Sequence, residues 1–122
     1  MDRRLKVLIF GNKIFSLDMH WGFLAAGHDA RVLQPTSKEA LESALKEFGA
    51  DVLLTLGPPL EFKREICEFI GARRPAEYKH IHWDTDGVSS KIYRSESGDG
   101  IEMDLIYRTR PDLVLTMCPE ML

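Results

Sequence analysis

The run Lys6-Val-Leu-Ile-Phe10, the turn at Gly11 and the segment that follows it as far as Leu33 decide the fold of this chain. Residues 7–10 are all apolar and predict a buried strand. Residues 16–26 suit a helix of about three turns at ~3.6 residues per turn, and Gly27 predicts its end. A second strand pattern follows at 29–33. Together they predict a strand–helix–strand unit, whose right-handed crossover joins parallel strands.

The same alternation continues along the chain. Strand patterns cover residues 51–56, 79–84 and 112–117, and helix patterns cover 38–48, 60–72 and 101–109. Five strands separated by helices predict an open, parallel, Rossmann-like α/β sheet in one domain, residues 1–122, with helices on both faces. We expect the strand order 3-2-1-4-5, because the sheet must reverse its winding once to be covered on both faces.

Composition and charge narrow the class of protein. Of 122 residues, 44% are hydrophobic and 29% are charged, and 16 basic against 19 acidic side chains give a net charge of -3. That balance does not favour nucleic acid or an anionic membrane as a partner. No apolar run reaches the ~20 residues of a membrane span, and no secretory segment follows Met1. We therefore expect a cytoplasmic protein in which Cys67 and Cys118 are reduced thiols.

Ligands of open parallel sheets bind beyond the carboxyl ends of the strands, which directs attention to a few residues. The candidate ligand-binding cleft consists of Gly11 and Asn12 after the first strand, Gly57 after the third, and Asp84, Asp86 and Gly87 after the fourth. Asn12 and nearby amides are positioned to hydrogen-bond a ligand, and the same residues equally suit a tight turn into a helix. No catalytic residue is identified, and no metal site is predicted from isolated histidines such as His20 and His28.

The fourth strand ends in alternating polar residues. His82, Asp84 and Asp86 would share one face of an extended backbone, where they could bind a divalent cation or act as acid and base. The alternative is that the two carboxylates brace the following loop through backbone amides. That loop, residues 85–100, is rich in Asp, Gly and Ser, and it is expected to be a mobile flap.

The sequence lacks the motifs of several nucleotide-binding and phosphate-binding sites. The three-glycine dinucleotide fingerprint and the Gly-Lys-Ser/Thr phosphate loop do not occur. A phosphorylated receiver would need acidic residues after the first strand, an aspartate after the third and a late lysine. Here the first strand runs into Phe10-Gly-Asn12 and the third into Thr55-Leu-Gly57, so that interpretation is excluded.

Three segments resemble those of a known family. Gly27-His28, with the strand to Leu33, resembles the Gly-His-Glu-Val segment that ends the first unit of many GT-B glycosyltransferases. The segment from Tyr107 to Thr116 resembles their Pro-Asp-led fifth strand, and His82-Trp-Asp-Thr-Asp86 resembles a segment of CgeB-like, spore-maturation glycosyltransferases. The chain is thus similar to the N-terminal domain of a two-domain GT-B protein.

That resemblance implies a function. It implies an acceptor-side domain that is inactive alone, with the nucleotide-sugar donor held by a C-terminal domain and no cofactor in this chain. No helix pattern follows the fifth strand, so part of the sheet lacks a cover, which agrees with a longer protein. The alternative is a stand-alone Rossmann-like module that binds a small ligand or another protein.

Overall fold

The computed structural model describes residues 3–11, 13–34, 37–56, 63–74, 76–84 and 105–116. Strands and helices alternate in the order β1 (Lys6–Gly11), α1 (Lys13–Ala25), β2 (Asp29–Leu33), α2 (Lys38–Phe48), β3 (Val52–Leu56), α3 (Lys63–Gly71), β4 (Lys79–Asp84) and β5 (Leu113–Thr116). A further helical turn lies at 105–108. Each strand is confirmed to within one residue at either end, whereas α1 begins at Lys13 rather than Ser16. The predicted flap at 85–100 lies outside the described residues.

The five strands form one parallel sheet, which confirms the predicted fold class. Their order is β2-β1-β3-β4-β5, so the predicted order 3-2-1-4-5 is wrong in the place of β3. This strand lies between β1 and β4 instead of beyond β2. The connection through α2 therefore carries the chain back across β1 before the sheet grows outward to β5.

Burial explains why β3 is an interior strand. Residues 7–10 of β1 and 53–56 of β3 are at most 2% exposed. Strands that are apolar on both faces need a neighbour on each side and helices above and below. β2 can lie at the edge of the sheet, because only Ala30 in this strand is buried. Arg31 is exposed, and the other three residues are partly buried.

The reversal of winding between β1 and β3 divides the helices between two faces. Right-handed crossovers put α1 on one face and the helices of the outward-going connections on the other. On the first face, which we call the α1 face, Met19 and Phe23 pack on a core formed by Val7, Ile9, Ala30, Leu54 and Leu56. On the second, the α2 face, residues of α2, α3 and the turn at 105–108 pack on Leu8, Phe10 and Leu53.

Cys67 belongs to the core of the α2 face, as expected of a packing residue. It is a free, buried cysteine, and burial together with the neighbouring Glu68 carboxylate raises the pKa of its thiol to about 11. The thiol is therefore neutral and unreactive at neutral pH. Within the described ranges no helix has the length and apolar character of a membrane span.

Candidate interaction surface

The predicted cleft residues are separated across the carboxyl edge of the sheet. Gly11 ends β1 and Asp84 ends β4, with β3 between them, so the two positions are about two strand spacings of ~4.8 Å apart. The backbone of Asp84 pairs with Thr116, and its side chain is not among the described ones. Asn12, Gly57, Asp86 and Gly87 lie outside the described residues.

Gly11 has a structural reason to be glycine. Its φ of 159° is extended backbone, but a Cβ there would stand 2.5 Å from the carbonyl oxygen of Leu56. Glycine therefore lets β1 approach the end of β3, with which it pairs in register. This packing accounts for Gly11 without a ligand.

His82 is turned into the protein rather than towards a cleft. Its side chain is 3% exposed and lies on the α2 face beside His80, which is fully buried. The hydroxyl oxygen of Thr55 lies 2.8 Å from Nε2 of His80 and 2.7 Å from Nδ1 of His82. One hydroxyl proton can be donated to only one ring, so the oxygen accepts from the other. No group of potential metal ligands occurs among the described residues.

Burial keeps His80 neutral. Desolvation, followed by the nearby His82 and Arg73 charges, lowers its pKa to about 3, although Asp112 and the backbone of Thr109 act in the opposite sense. His82 was a candidate from the sequence, whereas its partners Thr55 and His80 were missed. Thr55, His80 and His82 lie on the same face of the paired strands β3 and β4. The alternation of side chains along these two strands was the signal that could have brought them together.

Arg73 and Asp112 fasten the start of β5 to α3 and β4. The guanidinium of Arg73, whose side chain is 6% exposed, donates to Asp112 Oδ2 at 2.8 Å. It also donates to the carbonyls of Ile70, Tyr78, Thr109 and Arg110. The amide of His80 donates to Asp112 at 2.8 Å. This amide, together with Arg73, holds the pKa of the carboxyl below its ordinary value.

A cavity of about 740 Å³ opens at the amino edge of the sheet between the ends of α2 and α3. Leu45, Phe69 and Tyr78 contribute to its lining, and Gly11 and Asp84, the two predicted cleft residues that the structure describes, do not. The hydroxyl of Tyr78 is buried and has no hydrogen-bond partner among the described residues, and burial raises its pKa to about 12. The group is therefore a neutral phenol, and the cavity lies at the edge opposite to the predicted ligand site.

One exposed side of α1 is apolar. Leu17, Trp21 and Leu24 are 44%, 66% and 37% exposed, and their spacing of four and three residues aligns them along one side of the helix. We call these three residues the α1 ridge. The ring of His20 meets that of Trp21 edge-on at 5.4 Å. The first turn of α1 carries no acidic residue and the last turn no basic one. The helix therefore presents a hydrophobic side to solvent.

A second apolar area lies on the same face of the sheet. Leu113 and Leu115 of β5 are 50% and 42% exposed. They pair in register with the partly buried Ile81 and Trp83 of β4, which belong to the α1-face core. Residues in register on parallel strands share a face, so the four side chains form one band. We call this band the β5 strip.

Five parallel strands in the order β2-β1-β3-β4-β5, with helices on both faces, define the flavodoxin-like class of doubly wound folds, which includes CheY. One solved structure with this fold is a CheY-like protein, TadZ, from Pseudomonas aeruginosa PAO1. It matches with a TM-score of 0.64 and 17% sequence identity over 93% of this chain and 82% of that chain. At this identity the likeness concerns the fold alone. No family model matches the sequence, and no curated protein matches it significantly.

The resemblance to GT-B and CgeB-like glycosyltransferases was wrong, because the structural likeness is to a CheY-like protein. The segments that suggested this resemblance have structural roles in this chain. Nδ1 of His28 accepts from the amide of Leu5 at 3.0 Å, Asp112 fastens β5, and His82 lies in the core. Such features recur in parallel α/β sheets of any function. The expected donor domain and nucleotide sugar rested on the resemblance and lose their basis with it.

Proposed function

We propose that this chain is a protein-interaction module of CheY-like fold, and that the α1 ridge and the β5 strip belong to its interaction surface. The observation that carries the proposal is the exposure of Leu17, Trp21 and Leu24 on one side of a helix. Contiguous exposed apolar patches on soluble proteins mark interaction sites. Tryptophan is also enriched among the residues that dominate binding energy.

The proposed module works without accepting a phosphoryl group. Its third strand ends in Thr55 and Leu56, where a phosphorylated receiver needs an aspartate. The hydroxyl of Thr55 is buried between two imidazoles and is not accessible to a phosphoryl donor. The first strand ends in Phe10 and Gly11, which offer no carboxylate for a magnesium ion. We place the module in the cytoplasm, where Cys67 stays reduced.

Photo-cross-linking from the ridge tests the proposal. A photoreactive amino acid replaces Leu24 on α1 or, as the matched control, Ser43, which is exposed on α2. Irradiation of cells of the native host should give a discrete covalent adduct from position 24. The control position should give none, because α2 presents a charged outer side. The adduct should disappear when Trp21→Glu is added.

Two outcomes would contradict the proposal. One is an absence of adducts from position 24 in living cells while the protein is present at its normal level. The other is an adduct that forms equally from positions 24 and 43.

Incubation with acetyl phosphate and Mg²⁺ tests whether the module works without accepting a phosphoryl group. The mass of the purified chain should stay unchanged, and an increase by the mass of one phosphoryl group would refute this part of the proposal.

A further inference from the structure

Two helices end at the same cavity at the amino edge of the sheet. α2 is closed by Gly49, whose φ of 65° turns the chain out of the helix, and α3 ends at Gly71. The small residues Gly49, Ala50 and Ala72 line the space at these two ends, which has a volume of about 740 Å³. That volume lies within the range of about 300–1,000 Å³ that is typical of sites for small molecules.

Part of the cavity lining is apolar. Leu45 comes from α2, Phe69 from α3 and Ala50 from the connection between α2 and β3. Leu45 and Ala50 are buried, and Phe69 is partly buried against the core of the α2 face. Tyr78, directly before β4, adds an aromatic ring. Apolar and aromatic walls of this kind favour a ligand with an apolar body.

The charged residues of the lining balance one another. Three are acidic and three are basic, and each of the six has a partner of opposite charge. Two pairs lie within the lining, Glu42–Lys46 at 3.2 Å and Arg74–Glu77 at 3.0 Å, while Asp51 and Arg73 pair with residues outside it. An ionic ligand would meet no net charge of opposite sign and would have to disturb an existing pair. The lining therefore favours an uncharged ligand.

One polar group of the lining needs a partner. The hydroxyl of Tyr78 is buried and makes no hydrogen bond to the residues that the structure describes. The guanidinium of Arg73 lies 5.5 Å from the centre of its ring, but a guanidinium only donates hydrogen bonds and cannot accept one from the phenol. A buried donor without a partner destabilises the fold, and a ligand that supplies an acceptor recovers that loss.

We infer that this cavity binds a small, uncharged molecule with an apolar body and one hydrogen-bond acceptor, which receives the hydrogen bond of Tyr78. An aromatic ketone has this chemistry, because its ring can pack on Leu45 and Phe69 while its carbonyl oxygen accepts from the phenol. The hydroxyl is closed to solvent, so binding requires the ring of Tyr78 to turn towards the ligand. The inference goes beyond the proposed function, since the cavity borders the α2 face and the α1 ridge lies on the opposite one.

Titration of the purified chain with p-methylacetophenone, followed by NMR, tests the inference. The amide resonances of Gly49, Ala50 and Ala72, which line the cavity, should shift in a saturable way with a Kd below about 1 mM. Two probes of similar shape, the anion p-toluate and the cation p-methylbenzylammonium, should bind about tenfold more weakly, because the charges of the lining are balanced. Tighter binding of either ion than of the ketone would overturn the inference.

The contribution of the hydroxyl is isolated by p-ethyltoluene, which has a similar shape and no acceptor. In Tyr78→Phe the Kd of the ketone should rise about fivefold, whereas the Kd of the hydrocarbon should not change. This variant should keep the Tm of the wild type or exceed it, because it removes a hydroxyl that no described residue pairs with. A ketone Kd that is the same in both proteins would show that Tyr78 does not donate to the ligand, and would overturn the inference.

Matched phenylalanine substitutions locate the bound ketone. Ala72→Phe adds a ring to the lining at an exposed position and should abolish binding. Ser43→Phe, exposed on α2 outside the lining, should leave the Kd unchanged. An absence of saturable shifts at the lining amides up to about 5 mM ketone, or an unchanged Kd in Ala72→Phe, would overturn the inference. Shifts confined to α1 would place the probe on the α1 ridge, which would overturn it and leave the proposed function standing.

Discussion

The helices α1 and α2 lie on opposite faces of the same sheet and differ in what they present to solvent. α2 has 11 residues, buries Leu41, Leu45 and Phe48, and carries the Glu42–Lys46 ion pair of 3.2 Å on its exposed side. α1 has 13 residues and exposes Leu17, Trp21 and Leu24. α2 thus presents a charged outer side to solvent, as expected of a helix that has no further partner. α1 exposes large apolar side chains, as expected of the proposed interaction surface.

Matched leucine truncations should separate the two helices most strongly. Leu41→Ala removes a fully buried side chain from α2 and should lower the free energy of unfolding by about 2–5 kcal/mol. Leu17→Ala removes a side chain that is 44% exposed on α1 and should cost less than about 1 kcal/mol in dilute protein. Urea denaturation at sub-micromolar concentration measures both. Equal losses would mean that the α1 ridge is packed within the chain.

Two glycine substitutions extend the comparison to the backbone. Gly11→Ala puts a Cβ 2.5 Å from the carbonyl oxygen of Leu56 and should destabilise the fold by about 1–3 kcal/mol. Gly22→Ala lies on the exposed side of α1, where a Cβ meets nothing within 4 Å, and should stabilise the helix by about 0.5–1 kcal/mol. Thermal melting of the two variants beside the wild type checks the opposite signs. A stabilised Gly11→Ala would remove the packing explanation for this glycine.

His80, one of the two buried histidines of the α2 face, should make stability depend on pH. His80 has a pKa of about 3 in the folded chain, against 6.5 for an unperturbed histidine. Between these values the unfolded chain binds a proton that the folded chain does not, so stability decreases as the pH falls. The loss at pH 5 should reach about 2 kcal/mol, at ~1.36 kcal/mol per unit. Asp112, whose pKa is lowered, adds a further loss only below its ordinary value of 3.8.

Histidine resonances distinguish His80 from other sources of acid sensitivity. In NMR titrations the imidazole of His80 should keep its neutral shifts down to pH 5. His20→Gln, on the partly exposed side of α1, should leave the acid-induced loss of stability unchanged. A titration of His80 near its unperturbed value would contradict the assignment of the loss to this residue.

The periodicity of the sequence was sufficient to predict the helices, the strands and the fold class. It was not sufficient to predict the order of the strands in the sheet. Residues 52–56 are almost wholly apolar, and a strand of that kind belongs inside a sheet, which the order 3-2-1-4-5 did not respect. The proposed interaction surface was missed for a related reason. Apolar residues surround α1, and a pattern without a polar side does not indicate which residues face the sheet until the sheet is built.

The predicted cleft remains a prediction at most of its positions. Gly11 is explained by its approach to Leu56, and the other five residues are not tested by the described side chains. The resemblance to glycosyltransferases failed because short segments such as Gly27-His28 end helices in many α/β sheets. Gly27 has a φ of 91° and His28 accepts from the amide of Leu5, so both residues serve the fold.

Cysteine protection tests most directly whether another protein covers the α1 ridge. Leu24→Cys and Ser43→Cys, each combined with Cys118→Ser, are labelled with N-ethylmaleimide in intact cells and in dilute purified protein. Cys67 is buried with a pKa of about 11 and should not react in either sample. We predict at least tenfold slower labelling at position 24 in cells than in dilute protein, with equal rates at position 43. Equal rates at position 24 in the two samples would contradict the assignment of the α1 ridge as an interaction surface.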